Sequence, residues 1–222
     1  MQKPDVKRVR MVVFDWDGTL LDSTGHIVHA LKTAADQLVW PWPGDDAARN
    51  IIGLGMRESI VALFGERSSR DIESFRKAYA EIFFSVTPTR EDLFEGAMDT
   101  LERLRAAGYR LAIATGKSRP GLDRVLRGLD LAALFEITRC ADESRSKPHP
   151  QMLWDIRAAT GLEAHEMIMV GDTEYDLEMA QRAKVPAVAV GYGAHDPSRL
   201  IQWQPLAILE RMTQLFEVLE SR

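Results

Sequence analysis

The chain has a single cysteine, Cys140, among 222 residues. No disulfide can form within it, and the expected compartment is a reducing cytoplasm. No motif surrounds Cys140, so its expected use is structural or incidental. Long apolar runs are missing too. The longest are strand-sized, far short of the ~20 residues of a membrane-spanning helix, and no membrane role is expected. The opening residues are polar and charged and do not resemble a secretory leader. A basic excess is absent: 28 Lys and Arg face 33 Asp and Glu, for a formal net charge of -5. That leaves no electrostatic footprint for nucleic acid. There is no internal repeat and no low-complexity segment. What remains is a chain that is 45% hydrophobic, which suits one domain or a core with a smaller insert.

The pattern of that apolar content has three parts. Residues 11–14, Met-Val-Val-Phe, form an uninterrupted run with two β-branched members, as in a strand buried on both faces. Asp15 closes the run and Asp17 follows. Two carboxylates at the end of a buried strand are costly unless paired, hydrogen-bonded or bound to a cation. Gly18 and Thr19 complete the stretch, and the same residues also suit an ordinary turn. From 23 to 85 the spacing is helical throughout. Ile27, Ala30, Leu31, Ala34 and Leu38 make one amphipathic stripe. Further helices are expected around 47–52, at 60–64 and at 72–83, separated by Trp40-Pro41-Trp42-Pro43-Gly44 and Gly53-Leu54-Gly55. From Gly96 onward helices alternate with short apolar runs at 111–114, 134–138, 167–170 and 187–190, and residues 205–219 read as a final helix. Alternation of this kind predicts an α/β fold with a doubly wound parallel sheet. Ligands bind such sheets outside the carboxyl ends of the strands.

Four short elements fall at or near that edge. Asp15-Trp16-Asp17-Gly18-Thr19 ends the first strand. Thr115-Gly116-Lys117 ends the second. Ser146-Lys147-Pro148 lies in a loop. Gly171-Asp172-Thr173-Glu174-Tyr175-Asp176 ends a later strand, with its two outer aspartates one helical turn apart. Each has an ordinary use by itself: a strand-end threonine, a solvated lysine, an N-cap with a first-turn acid. Together and in this order they resemble the four motifs of the haloacid dehalogenase-like superfamily, over nearly the whole chain. The insert directly after the first motif, and Leu20-Leu21-Asp22-Ser23 at its start, are similar to the phosphoglycolate phosphatase-like subgroup.

The resemblance implies a Rossmann-like core made of residues 1–22 and 86–222, with a helical cap at 23–85. It implies a Mg²⁺-dependent phosphatase that hydrolyses a small phosphomonoester, phosphoglycolate-like substrates among them, through an aspartyl-phosphate. Asp15 would be the nucleophile and Asp17 the general acid and base. Thr115 would donate to a phosphoryl oxygen, Lys147 would supply positive charge, and Gly116 would leave room for a backbone N–H on phosphate. Mg²⁺ would be held by Asp15, Asp172 and the backbone carbonyl of Asp17, with Asp176 orienting Lys147 or metal-bound water. The implied partner is a small phosphorylated metabolite, and a monomer and a homodimer fit equally. Haloacid dehalogenases themselves lack the second aspartate of the first motif, so Asp17 argues against that activity. A phosphomutase of the β-phosphoglucomutase type remains an alternative, although its histidine aligns with Ile27 and His26 is one residue off. A silent phosphate-binding regulatory protein is another, although such a protein usually lacks the general acid or the lysine. Arg49 and Arg57 flank Gly53-Leu54-Gly55. They are candidates for pairing with a second anionic group on the substrate, or are simply solvated. Trp16 is expected to point away from the site, and His149 to be a solvent-exposed loop residue.

Overall fold

Strand β1 (Met11–Phe14) has no exposed side chain, and the alternation along it assigns both faces of the sheet. Val12 and Phe14 join one apolar cluster and Met11 and Val13 the other. A computed structural model describes residues 8–220; positions 1–7 and 221–222, where the expected core segments begin and end, lie outside the described residues. The six strands are all parallel, in the order β3-β2-β1-β4-β5-β6. They comprise β1, β2 (Arg110–Thr115), β3 (Ile137–Cys140), β4 (Met167–Gly171), β5 (Ala187–Val190) and β6 (Ile208–Leu209). The chain winds outward from β1 through β2 and β3, then returns to β4 on the opposite side of β1. That reversal opens a crevice at the carboxyl ends of β1 and β4.

Both faces are covered by helices. Leu101 and Leu104 of α5 (Ala97–Ala106), Leu122 and Val125 of α6 (Arg119–Gly128), and Leu215 of α10 (Leu215–Glu220) pack on the Val12 and Phe14 side. Leu153 and Ile156 of α7 (Gln151–Thr160) and Met179 of α8 (Glu174–Ala183) cover the Met11 and Val13 side. Each such side chain contributes about 1.5–3 kcal/mol by leaving water. Trp16 lies in the first of these clusters, fully buried and edge-on to Phe135, away from the carboxylates.

Between β1 and β2 the chain forms α1 (Thr24–Gln37), α2 (Asp45–Asn50), α3 (Met56–Phe64) and α4 (Ser69–Phe83). Ile27, Leu31, Ile51, Ile60 and Phe75 give this segment an apolar cluster of its own.

Two expectations are corrected. The strand read at 134–138 begins at Ile137, because Ala132–Leu134 is a 3-10 turn; a short apolar run does not carry its own register. The tail read as one helix contains β6 first. Ile208 and Leu209 pair with Ala189 and Val190, a long-range contact that overrides the local helical pattern. A further short helix, α9 (Pro197–Leu200), precedes it.

Candidate active site

The crevice is built by strand ends and one loop lysine. The ladder continues one residue past β1, as the Asp15 N–H donates to the Val170 carbonyl at 2.9 Å, and this places the Asp15 carboxylate beside β4. Lys147 Nζ lies 2.8 Å from Asp15 Oδ1 and 2.6 Å from Asp176 Oδ1, with all three side chains buried. Asp176 is also the third residue of a capping box on α8. Its Oδ2 accepts from the Thr173 N–H at 3.1 Å and from the Thr173 hydroxyl at 2.7 Å. The helix cap and the lysine contact therefore use different oxygens of one carboxylate. Asp172 accepts from the Thr19 hydroxyl and from the Ala194 N–H, each at 2.8 Å. Gly193 permits this approach, since a Cβ there would lie 2.3 Å from the Asp172 Cβ.

The electrostatics are those of crowded anions. One oxygen from each of Asp15, Asp172 and Asp176 lies within 4.8 Å of the others. Burial pushes the Asp15 carboxyl well above its usual range, opposed by Lys147 and reinforced by Asp176 and Asp172. Burial also raises Asp172, to about 7, with the Asp176 charge adding to it and the Ala194 N–H and Thr19 hydroxyl opposing it. Burial alone would lower Lys147, but Asp15 and Asp176 outweigh it and hold the ammonium above its ordinary value. Three carboxylates thus share one cation.

Asp17 is arranged separately. Its Oδ1 accepts from the Ser23 hydroxyl at 2.6 Å, and Lys117 Nζ sits 3.0 Å from both of its oxygens. Lys117 also lies over the Phe83 ring of α4, 4.6 Å from the centroid. Asp15, Asp17, Thr115 and Gly116 line a cavity between the strand ends and helices α1–α4.

A family model for haloacid dehalogenase-like hydrolases matches residues 12–190. The chain belongs to this family. Among relatives, a protein named "Probable phosphatase IndB" from Dickeya dadantii is 31% identical over 212 residues, 92% of this chain and 91% of the relative. A phosphoglycolate phosphatase of Salmonella paratyphi A is 27% identical over 236 aligned positions, covering 96% and 94%. A solved hydrolase structure from Pseudomonas syringae superposes with a TM-score of 0.85 over 95% of this chain and 97% of that one, at 24% identity, a likeness of fold.

In this hydrolase the structure gathers Asp15, Asp17, Thr115, Lys147, Asp172 and Asp176 at one edge. Gly116 faces the opposite loop, where a Cβ would lie 2.6 Å from the Gly53 and Leu54 carbonyl oxygens. Arg49 and Arg57 are not brought there. Arg49 pairs with Asp46 on the surface at 3.3 Å, Arg57 is exposed, and neither lines the cavity. Helix α2 and the start of α3 turn these side chains outward. The cations that do line the cavity are Lys117 and Arg76. Sequence reasoning did not single out either one as a site residue. Position beside Thr115 is the one signal that marks Lys117, since its partner Asp17 is 100 residues away. His149 is partly buried, and its Nδ1 accepts from the Gln151 N–H at 3.2 Å.

Packing around Asp172 yields a test of the site's tolerance. Gly193→Ala is expected to push Asp172 aside and lower kcat by roughly a hundredfold, the scale of a 1 Å misplacement, with little change in the circular dichroism spectrum. Wild-type kcat in this variant would show that Asp172 has no fixed role in turnover.

Proposed function

We propose that this hydrolase is a Mg²⁺-dependent phosphatase acting on small phosphomonoesters through phosphorylation of Asp15. The observation that carries the reading is Asp15 Oδ2, a buried carboxylate oxygen with no hydrogen-bond partner among the described residues, at the mouth of a cavity sized for a small molecule. An oxygen of that kind is costly unless a cation or an electrophile meets it. The neighbouring donors are all oxygens, which suits a hard divalent cation. Asp15 and Asp172 would hold Mg²⁺, with Asp176 in the same carboxylate group and the Asp17 main chain completing the set. When bound, the cation would neutralise charge on the phosphoryl oxygens and draw the ester toward Asp15.

The chain's own residues account for the remaining chemistry. An Asp15 oxygen attacks phosphorus as the ester P–O bond breaks, and Asp17 gives its proton to the departing alcohol oxygen. Water then attacks phosphorus, Asp17 takes its proton, and the Asp15–phosphorus bond breaks to release phosphate. Ser23 and Lys117 fix Asp17 for both transfers. Thr115 and the Gly116 backbone face the phosphoryl group, and Lys147 offsets charge on Asp15. Residues 23–85 act as the cap, and residues 86–220 with 8–22 as the core. Two observations favour a phosphatase over a mutase. Ile27 lines the cavity where a mutase histidine is expected, and His26 Nε2 is engaged with the Phe83 carbonyl at 2.9 Å. The silent-protein reading is weakened by the close ordering of Asp17 and Lys147. No helix among the described residues is long and apolar enough to cross a membrane.

Hydrolysis of p-nitrophenyl phosphate, with chemical trapping of an acyl-phosphate on Asp15, tests the reaction. The metal is tested without turnover. Mg²⁺ at ~100 times its dissociation constant stabilises the fold by about 2.7 kcal/mol, raising Tm by roughly 5–10 °C for a chain of this size. EDTA should reverse both the shift and the activity. Unchanged Tm with Mg²⁺ and full activity in EDTA would overturn the metal assignment.

A further inference from the structure

The wall opposite Asp15 and Asp17 is mostly carbon. Ile27, Leu31, Ile52, Leu54, Met56 and Phe83 are among the residues that line it. Two hydroxyls interrupt this surface. Ser59 of α3, 4% exposed, and Tyr79 of α4, partly buried, both line the cavity. Neither hydroxyl has a hydrogen-bond partner among the described residues. A helical serine can turn back to the carbonyl four residues earlier, as Ser74 does to Arg70 at 2.9 Å; Ser59 instead faces the cavity. Burial, with the Asp17 charge adding to it, holds the Tyr79 phenol well above its usual range, so it remains a donor. Both residues line the open cavity, so their hydroxyls are free to bond a ligand there.

The cations on the same cavity are already engaged. Lys117 forks onto Asp17. Arg76 donates twice to Glu73, at 2.8 Å each, and Asp142 on the cavity lining adds to the charge it feels. A second anion on the substrate would find both cations already paired with carboxylates and would lose its water against carbon. The stacked rings of Tyr79 and Phe83, 5.3 Å apart and 14° from parallel, offer instead an aromatic surface. The cavity, about 220 Å³, leaves room beyond the phosphoryl group for a ring.

We propose that the leaving group is an uncharged, ring-bearing alcohol whose own polar groups are read by Ser59 and Tyr79, and that a second anionic group on it is selected against. This rests on the phosphatase reading above. It replaces Arg49 and Arg57 as the basis of specificity.

The test is kcat/KM of the Mg²⁺-loaded enzyme on four phosphates: p-nitrophenyl phosphate, benzyl phosphate, ribose 5-phosphate and phosphoglycolate. Ribose 5-phosphate is expected to exceed phosphoglycolate by at least about tenfold, a difference of ~1.4 kcal/mol. Ser59→Ala and Tyr79→Phe, both conservative, should each lower kcat/KM on ribose 5-phosphate by about three- to tenfold, and lose less on benzyl phosphate, which has no group to meet them. Phosphoglycolate equal or better, or equal losses on both ring substrates, would overturn the proposal while leaving a phosphatase. No hydrolysis of any of the four, p-nitrophenyl phosphate included, removes the phosphatase reading and this proposal with it.

Discussion

Asp15→Asn is expected to lower kcat by at least about 10⁴-fold, the scale of losing a covalent nucleophile, and to leave the fold intact. The amide has nearly the same shape as the carboxylate but is a very poor nucleophile toward phosphorus, so no phosphoryl-enzyme accumulates. Stability is expected to hold or rise without divalent cation. Asp15 is one of three crowded carboxylates around Lys147, and burial already opposes its charge. Removing that charge relieves repulsion from Asp172 and Asp176 while Lys147 keeps its 2.6 Å contact with Asp176. Steady-state assays and a melting curve in EDTA check both halves. Residual turnover within a hundredfold of wild type would place the nucleophile elsewhere.

Lys147→Met is expected to be the most destabilising single change in the site. Methionine roughly matches the length of the lysine stem, so packing is largely kept and the charge is what is lost. Asp15, Asp172 and Asp176 would then face one another with no cation, fully buried. Breaking a buried ion pair by removing one partner costs about 3–5 kcal/mol, or roughly 6–20 °C in Tm for a chain of this size. Two rescues separate this cause from a packing defect. Adding Asp176→Asn to the variant removes one of the exposed repulsions and should recover part of the loss, a non-additive result expected of groups in direct contact. Mg²⁺ should raise the Tm of Lys147→Met by more than it raises the wild type's, because it supplies the missing charge. A loss under about 1 kcal/mol, with no rescue by either route, would mean the ammonium is not what balances this cluster.

The sequence by itself determined the parallel α/β fold and the positions of the carboxylates at its edge. Those features are local. An apolar run such as Met11–Phe14 specifies a buried strand within its own length, and the residue that ends the run sits at the strand's carboxyl end whatever the rest of the chain does. Thr115 and Asp172 follow from the same rule, whereas the cap of α8 falls on Thr173, with Asp176 as its first-turn acid, and not on Asp172 as the motif alone suggests. Tertiary structure alone decided the rest. Whether Ile208 and Leu209 pair with β5 depends on a free sheet edge that no nearby residue announces. Whether Lys117 or Arg49 reaches the cavity depends on how helices α1–α4 sit over β2. The cavity wall was hidden for a more basic reason. Tyr79, Ile82 and Phe83 share one helical stripe, and helical spacing marks a face that leaves water without saying what it faces. Only packing separates the residues of that stripe that fill a core from those, such as Tyr79, that line the cavity.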